Sequence, residues 1–389
     1  MRIAYLLVDP GIGVFGSKGA SVHVQEIVRA FRLAGHEVVI FCTRTDDLIP
    51  ADLTDVEVHC VPVPRHHDTR AREEAITAAA DQLTAAAAGH HVDLVYERYS
   101  LFSSAGADLA DRLGIPLVVE VNAPLVDEQR RHRHLVAEER ACEMTARLLG
   151  RADLVVCVSE VVAAWVRASL PLDGSTVTIV PNGVNTSRVR PGRRDDGHDR
   201  VVIGFVGTLK PWHGTDLLLR AAPGLLDAAR IEICGTGPEQ PRLEALADEL
   251  GITEHVRFHG AVPPSEVPNL LRDFDIAVAP YPPGDHYFSP LKVYEYLAAG
   301  LPVVASAIGS LPELLHHGEV GVLVPPGDPI VLASALRSLV DDPGRRAELG
   351  HRARRLAVAE HSWQRRCRDI LEQLDSRTTR SRAGTARVA

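Results

Sequence analysis

Three short stretches of the 389-residue sequence place reactive side chains close together. In HYFSPLKVYEYLAAGLPVVASAIGSLPELL, which begins at His286, Ser289 or Pro290 can open a helix. Lys292 then stands in the first turns, and Glu295 lies one turn after Leu291, before Ala298, Ala299 and Gly300 stop the helix. A helix N-terminus with an ammonium beside it can hold a diphosphate. A carboxylate can chelate a ribose diol through two charge-assisted hydrogen bonds. A surface helix with a lone glutamate fits the spacing equally well.

The loop VDPGIGVFGSKGASVHV carries Gly11, Gly13 and Gly16 in the spacing of a dinucleotide fingerprint, and Gly11 with Gly16 in that of a P-loop. Neither match survives in detail. The third glycine of the fingerprint belongs in the first helical turn, whereas this helix should start near Ala20 or Ser21; the P-loop needs Lys followed by Ser or Thr, whereas Ser17 precedes Lys18. Gly16, Lys18 and Gly19 remain as a flexible anion site before a helix, with a plain surface loop as the alternative. Asp273 and Asp275 form a DxD, but at a helix-to-strand junction where aspartates cap or solvate, so no metal is expected there. No other acidic or histidine cluster has ligand spacing. Of the 42 basic residues only Lys18, Lys210 and Lys292 are lysine. An ammonium is a compact point charge and a guanidinium a wide fork, so these three mark places where arginine would not serve, unless codon usage in a GC-rich genome alone explains them.

These residues need elements to position them. Arg2 to Val8, Glu37 to Phe41, Val56 to Val61, Val92 to Val95, Leu117 to Val121, Leu154 to Val158 and Val177 to Val180 read as buried strands separated by helical patterns. After the Pro-, Gly- and charge-rich segment RVRPGRRDDGHDR the alternation restarts, through VVIGFV, IEICG, VRFHG, IAVAPY, VVAS and GVLV. The predicted fold class is α/β, two tandem doubly wound parallel sheets facing across a cleft at their strand C-termini. Residues 1–190 are expected to form the first domain, 191–200 a linker, 201–360 the second, 361–375 a closing helix packed back on the first domain, and 376–389 a disordered tail.

Composition narrows the function. Apolar residues make up 46% and charged residues 24%, which excludes a fibrous or generally disordered chain. A net charge of −9 opposes a dedicated nucleic-acid binder. The six cysteines are scattered, mostly in apolar runs, and read as buried free thiols. No apolar run approaches the ~20 residues of a bilayer span and MRIAYLLV leads into no cleavage signature, so a cytoplasmic protein is expected. The basic run QRRHRHL is a solvated face or a weak peripheral contact with the cytoplasmic face of a membrane.

The segment around Lys292, together with GFVGTLKPWHGTDLLL, ICGTGPEQPRLEALADELGITEHVRFHGAVPPSEVP and IVPNGVN, resembles the carboxy-terminal half of the retaining glycosyltransferases of family 4, with the GT-B fold. The resemblance runs to about residue 374 in the same motif order. It implies that the second domain binds a nucleotide sugar, by default a UDP-sugar, and that the first meets a small-molecule or lipid-linked acceptor. Glu295 matches the second of the family's two glutamates, the one assigned to the ribose; the first falls on Tyr287. The family's basic pair after the first strand of the second domain falls on Thr208 and His213, and Lys210 and Lys292 stand near enough to replace the lost charge. The donor is further expected against Gly207, Gly235, Gly237, Val262, Ser289, Pro290 and Leu291. Asn122 occupies the place of a histidine beside the reacting sugar, and Glu128, Arg98 and Tyr99 are expected to face the acceptor.

The implied reaction is metal-independent sugar transfer to a hydroxyl, without cofactor or protein nucleophile, in natural-product or cell-envelope glycoside synthesis. Tyr287 and Thr208 favour a rival, a sugar-nucleotide-binding protein that has lost turnover. A nicotinamide oxidoreductase is a more remote alternative.

Overall fold

The computed structural model describes residues 1–132, 134–170, 176–192, 200–284, 286–287 and 289–385. The chain divides into two compact units. One comprises Met1–Asn182, Tyr287–Ser289 and Trp363–Ala389, the other Gly183–His286 and Pro290–Ser362.

The first unit is a seven-stranded parallel sheet with strands β1 (Arg2–Leu7), β2 (Glu37–Cys42), β3 (Glu57–Cys60), β4 (Leu94–Arg98), β5 (Leu117–Val121), β6 (Leu154–Cys157) and β7 (Val177–Ile179). Their order in space is β3-β2-β1-β4-β5-β6-β7. Helices α1 (Gly19–Leu33), α2 (Thr69–Ala87), α3 (Ala105–Leu113), α4 (Leu125–His132), α5 (Glu138–Arg151) and α6 (Glu160–Ser169) follow strands as crossovers. β1 and β4 to β6 are almost wholly buried because a parallel sheet is covered on both faces, which is why they read as continuous apolar runs. Tyr5 and Tyr96 stack at 5.5 Å in this core, with Phe31 edge-on to Tyr96 at 5.3 Å.

In the second unit the strands β8 (Val201–Val206), β9 (Ala229–Cys234), β10 (Val256–Gly260), β11 (Ile276–Ala279), β12 (Val303–Ser306) and β13 (Val322–Val324) lie in the order β10-β9-β8-β11-β12-β13. Its helices are α7 (Thr215–Ala221), α8 (Gln240–Glu249), α9 (Val267–Arg272), α10 (Leu291–Ala298), α11 (Leu311–Leu314), α12 (Pro329–Val340) and α13 (Pro343–Glu360). A final helix, α14 (Trp363–Thr385), packs on α1 in the first unit, where Trp363 meets His23 edge-on at 4.8 Å. In both parallel sheets the strand order reverses once, between β1 and β4 and between β8 and β11. The loops after those strands diverge and open a crevice, the place where open α/β sheets take ligands.

Several expectations need correction. The first unit ends at Asn182, not near 190, and reclaims residues 287–289. Most of the expected linker, residues 193–199, lies outside the described residues. The expected tail continues α14 as far as Thr385, and α1 starts at Gly19, a turn-edge earlier than read. All six cysteines are free, but Cys60 and Cys142 are exposed because they point away from the cores. Among the described residues, no helix is long and apolar enough to cross a membrane.

One buried carboxylate shows how the first unit fixes its helices. α5 has no capping side chain of its own. Instead Glu73 of α2, 5% exposed, accepts the amides of Val136 at 3.0 Å and Ala137 at 2.9 Å. Glu73→Ala should cost about 2–4 kcal/mol of first-unit stability, because two charge-assisted bonds are lost and two donors are stranded. Glu73→Gln, which keeps one acceptor oxygen, should lose less. Thermal unfolding followed by circular dichroism measures both; a Glu73→Ala midpoint equal to wild type would refute the capping role.

Candidate functional site

In the second unit the crevice beside β8 is built from the loop after β8, the loop after β9, the residues after β11 and the start of α10. Lys292, in the first turn of α10, turns back under the loop after β8. Its Nζ is shut off from solvent and has no hydrogen-bond partner. It stands 4.0 Å from the ring centroid of Phe205 and 5.4 Å from that of Tyr281, both fully buried. Two aromatic faces offer cation–π attraction but no counter-charge. Burial therefore lowers the Lys292 ammonium to about 7, with partial relief from Glu295 one turn along the same helix face.

The surrounding backbone leaves room for that ammonium. Gly207 has φ +149, and a Cβ there would lie 2.8 Å from Lys292 Nζ. Gly235 and Gly237 let the loop after β9 run against the carbonyls of Gly207 and Leu209, which a Cβ would approach to 2.0 and 2.1 Å. Tyr296 accepts the Val206 amide at 2.8 Å and so ties α10 to the end of β8. Pro290 begins α10 with no capping side chain. Lys210 lies 5.5 Å over the half-exposed ring of Trp212. His213 donates from Nδ1 to the Thr208 carbonyl. Its pKa falls to about 3, through burial first and then Lys292, so it stays neutral. Lys292, Lys210 and the uncapped helix start thus make the neighbourhood of α10 positive, while Glu295 and Val262 are half-buried.

A different polar cluster sits at the end of β4 and β5 in the first unit. Glu120 is 2% exposed and accepts from Tyr96 Oη at 2.9 Å and Asn122 Nδ2 at 3.0 Å. It also pairs with His23 of α1 and lies 3.8 Å from Arg98 Nη1. Burial would raise its pKa, but His23, Arg98 and the Asn122 bond win, and it is held at about 2. Arg98 Nη1 is buried without a hydrogen bond of its own. Its geometry toward Glu120 is too long for one.

The structure gathers Lys292, Lys210, Gly207, Thr208, His213, Gly235, Gly237, Pro290, Leu291 and Glu295 within the second unit, and Asn122 with Arg98 in the first. Other expected residues go elsewhere. Tyr99 belongs to the apolar core, with its hydroxyl on Thr145 Oγ1 at 2.9 Å and its ring 6.1 Å from Trp165. Side chains alternate along an extended segment, so Arg98 and Tyr99 cannot face the same way. Tyr287 packs at the rim of that core and bonds Glu128, which raises the phenol to about 12 after burial. Ser289 is buried, its Oγ accepting the Asn182 amide at 3.0 Å and its carbonyl the Asn182 side chain at 2.6 Å.

The loop holding Gly16, Lys18 and Gly19 is pinned rather than flexible. Gln25 Nε2 donates to the Val14 and Gly16 carbonyls at 2.9 and 3.0 Å. Gly13 and Gly16 make room for Asp46, whose carboxylate a Cβ would meet at 2.0 and 2.7 Å. Lys18 is exposed at the start of α1. Asp275 accepts the Val202 amide at 2.8 Å at the opposite end of the strands from the crevice, as a scaffold residue would. In the basic run, Arg130 is neutralised by Asp127 and Glu138.

Sequence reasoning missed Phe205, Tyr281 and Tyr296, which look like any buried aromatics in a strand or helix. It also missed His23 and Glu120. There a signal existed, a charged residue inside the otherwise apolar strand LVVEV.

Two family models cover most of the chain. Glycosyltransferase Family 4 matches residues 17–188, and Glycosyl transferases group 1 matches residues 200–342. The chain is 32% identical to a D-inositol 3-phosphate glycosyltransferase of Salinispora tropica, over 94% of this chain and 82% of that protein. HepE of Anabaena, solved in complex with UDP, has a TM-score of 0.73 at 19% identity and covers 97% of this chain and 100% of its own. Sucrose-phosphate synthase from Thermosynechococcus elongatus has a TM-score of 0.75 at 20% identity, over 98% and 100%. The two doubly wound sheets are those of the GT-B fold, and the chain is a glycosyltransferase enzyme that belongs to glycosyltransferase family 4.

Proposed function

We propose that the protein transfers a sugar from a UDP-sugar to a hydroxyl of a small polar acceptor, with retention at the anomeric carbon. The observation that carries this reading is the unpartnered Lys292 ammonium between Phe205 and Tyr281. A buried cation without an anion is expensive to keep. A diphosphate bound at the start of α10 supplies the missing charge, with Lys210 on its other side and Glu295 on the ribose. The bond from the anomeric carbon to the diphosphate oxygen breaks while the acceptor oxygen attacks the same face. The acceptor proton passes to the departing phosphate oxygen, so no protein base is required. Lys292 and Lys210 stabilise the charge that grows on the diphosphate, a preorganised electrostatic role that needs no metal.

For the acceptor, two observations support a hydroxylated, anionic small molecule. The relative from Salinispora tropica is named for inositol 3-phosphate. Arg98 Nη1 is buried beside Asn122 and Glu120 without a hydrogen bond, which leaves a guanidinium edge for an anionic group.

Glu295→Ala should weaken UDP binding by roughly 2–4 kcal/mol, as two charge-assisted bonds to the ribose are lost. Isothermal titration reads this directly, and wild-type affinity in the variant would remove Glu295 from the ribose.

Lys292→Ala and Lys210→Ala should each lower kcat by about 10²–10³, with Arg restoring only part of it. Because Lys292 titrates near 7 before the donor arrives, UDP affinity should fall as pH rises above 7. The stability effect has the opposite sign. The folded pKa lies below the ordinary lysine value, so between the two the unfolded chain binds the extra proton and stability rises with pH. Lys292→Met should therefore unfold at a higher temperature than wild type at pH 7, while binding UDP more weakly. A less stable Lys292→Met variant would mean that the ammonium is already paired.

EDTA should leave the rate of sugar transfer nearly unchanged. Loss of activity that manganese restores would show that an ion, rather than the lysines, supplies the positive charge.

A further inference from the structure

We infer that the first unit carries a zinc-class divalent metal site formed by Glu57, His59 and His90. Glu57 and His59 lie two apart on β3 and so share one face of the strand. His90 comes from the turn after α2. One ligand atom from each residue lies within 4.8 Å of the other two. Glu57 Oε1 stands 2.8 Å from His59 Nε2 and 3.7 Å from His90 Nδ1. Ligand atoms at tetrahedral zinc distances are about 3.3 Å apart, so these two separations need to change by about half an ångström or less, and the two imidazole nitrogens, within 4.8 Å of each other, close on the ion by rotation of their side chains.

The cluster is also oriented. Phe41, buried on β2, stacks on His59 with ring centroids 5.0 Å apart and 13° between planes, and meets His90 edge-on at 5.3 Å. The two imidazoles meet each other at 4.6 Å. The second carboxylate oxygen of Glu57 is bonded by Arg2 at 2.9 Å, which orients the carboxylate, while Oε1 bonds the His59 ring nitrogen at 2.8 Å, the contact that an ion would replace. Such outer partners orient a metal ligand. Two imidazoles and one carboxylate with an open position suit a borderline ion such as zinc rather than magnesium or calcium. The consequence is mechanical. β3 is the four-residue edge of its sheet, and an ion there would staple that edge to the connection entering β4.

The test uses the full-length, tag-free, metal-stripped chain and Co²⁺ alone, followed by displacement with Zn²⁺. The expected result is one Co²⁺ per chain with the strong visible absorption of a low-coordinate site, bleached by Zn²⁺, and a higher unfolding temperature with Zn²⁺ present. His90→Ala and His59→Phe should each weaken binding at least tenfold; the phenylalanine keeps the ring on Phe41, so its effect is not one of lost packing. Glu57→Gln should weaken it too. A wild-type chain that takes up no Co²⁺, or a His59→Phe/His90→Ala chain that binds it as tightly as wild type, overturns the assignment.

Discussion

A positive charge held in a greasy box sets the terms for the second unit. Lys292 Nζ faces Phe205 and Tyr281 with nothing to accept its protons, and the folded chain tolerates this only because the ammonium can shed one near neutrality. Much of the neighbourhood serves to keep that arrangement. A glycine at 207 clears the space, Tyr296 locks α10 onto β8, and His213 stays neutral instead of adding a second repelling charge. Such strain is characteristic of sites optimised for a ligand rather than for the resting fold.

The first unit handles buried charge in the opposite way. Glu120 is surrounded by His23, Tyr96, Asn122 and Arg98, and its pKa is held down at about 2. A carboxylate satisfied so fully is scaffold. What it leaves over is Arg98 Nη1, buried 3.8 Å from Glu120 without a hydrogen bond. The two units thus offer different things to ligands. One presents an ammonium walled by aromatic rings and without a hydrogen-bond partner, the other a guanidinium nitrogen buried 3.8 Å from an internal carboxylate.

The parallel sheets were legible because burial on both faces writes an uninterrupted apolar run for every central strand, and the glycine-proline punctuation separates the runs. Lys292 and Glu295 were legible as a pair on one helix, and the scarcity of lysine drew the eye to Lys210 and Lys292. What stayed hidden depends on distance along the chain. Phe205 lies 87 positions before Lys292, and nothing in VVIGFV distinguishes an aromatic that walls a cation from one that fills a core. Tyr99 failed for a local reason, since strand alternation sends it away from Arg98 into the apolar interior. His90 joins Glu57 and His59 only because α2 returns the chain to the sheet edge, so ligand spacing in the sequence could not show it.

The helix α14 has a consequence for how the molecule comes into being. It covers α1, with Trp363 against His23 and Cys367 buried nearby, yet it is translated after the whole second unit. A ribosome therefore exposes the first sheet long before the covering for α1 exists. During that interval the apolar face of α1 is open to solvent and to chaperones, and the nascent first unit is held in an unfinished state. Its completion is deferred until the second unit has emerged, which makes folding of the first unit depend on a segment made after the second.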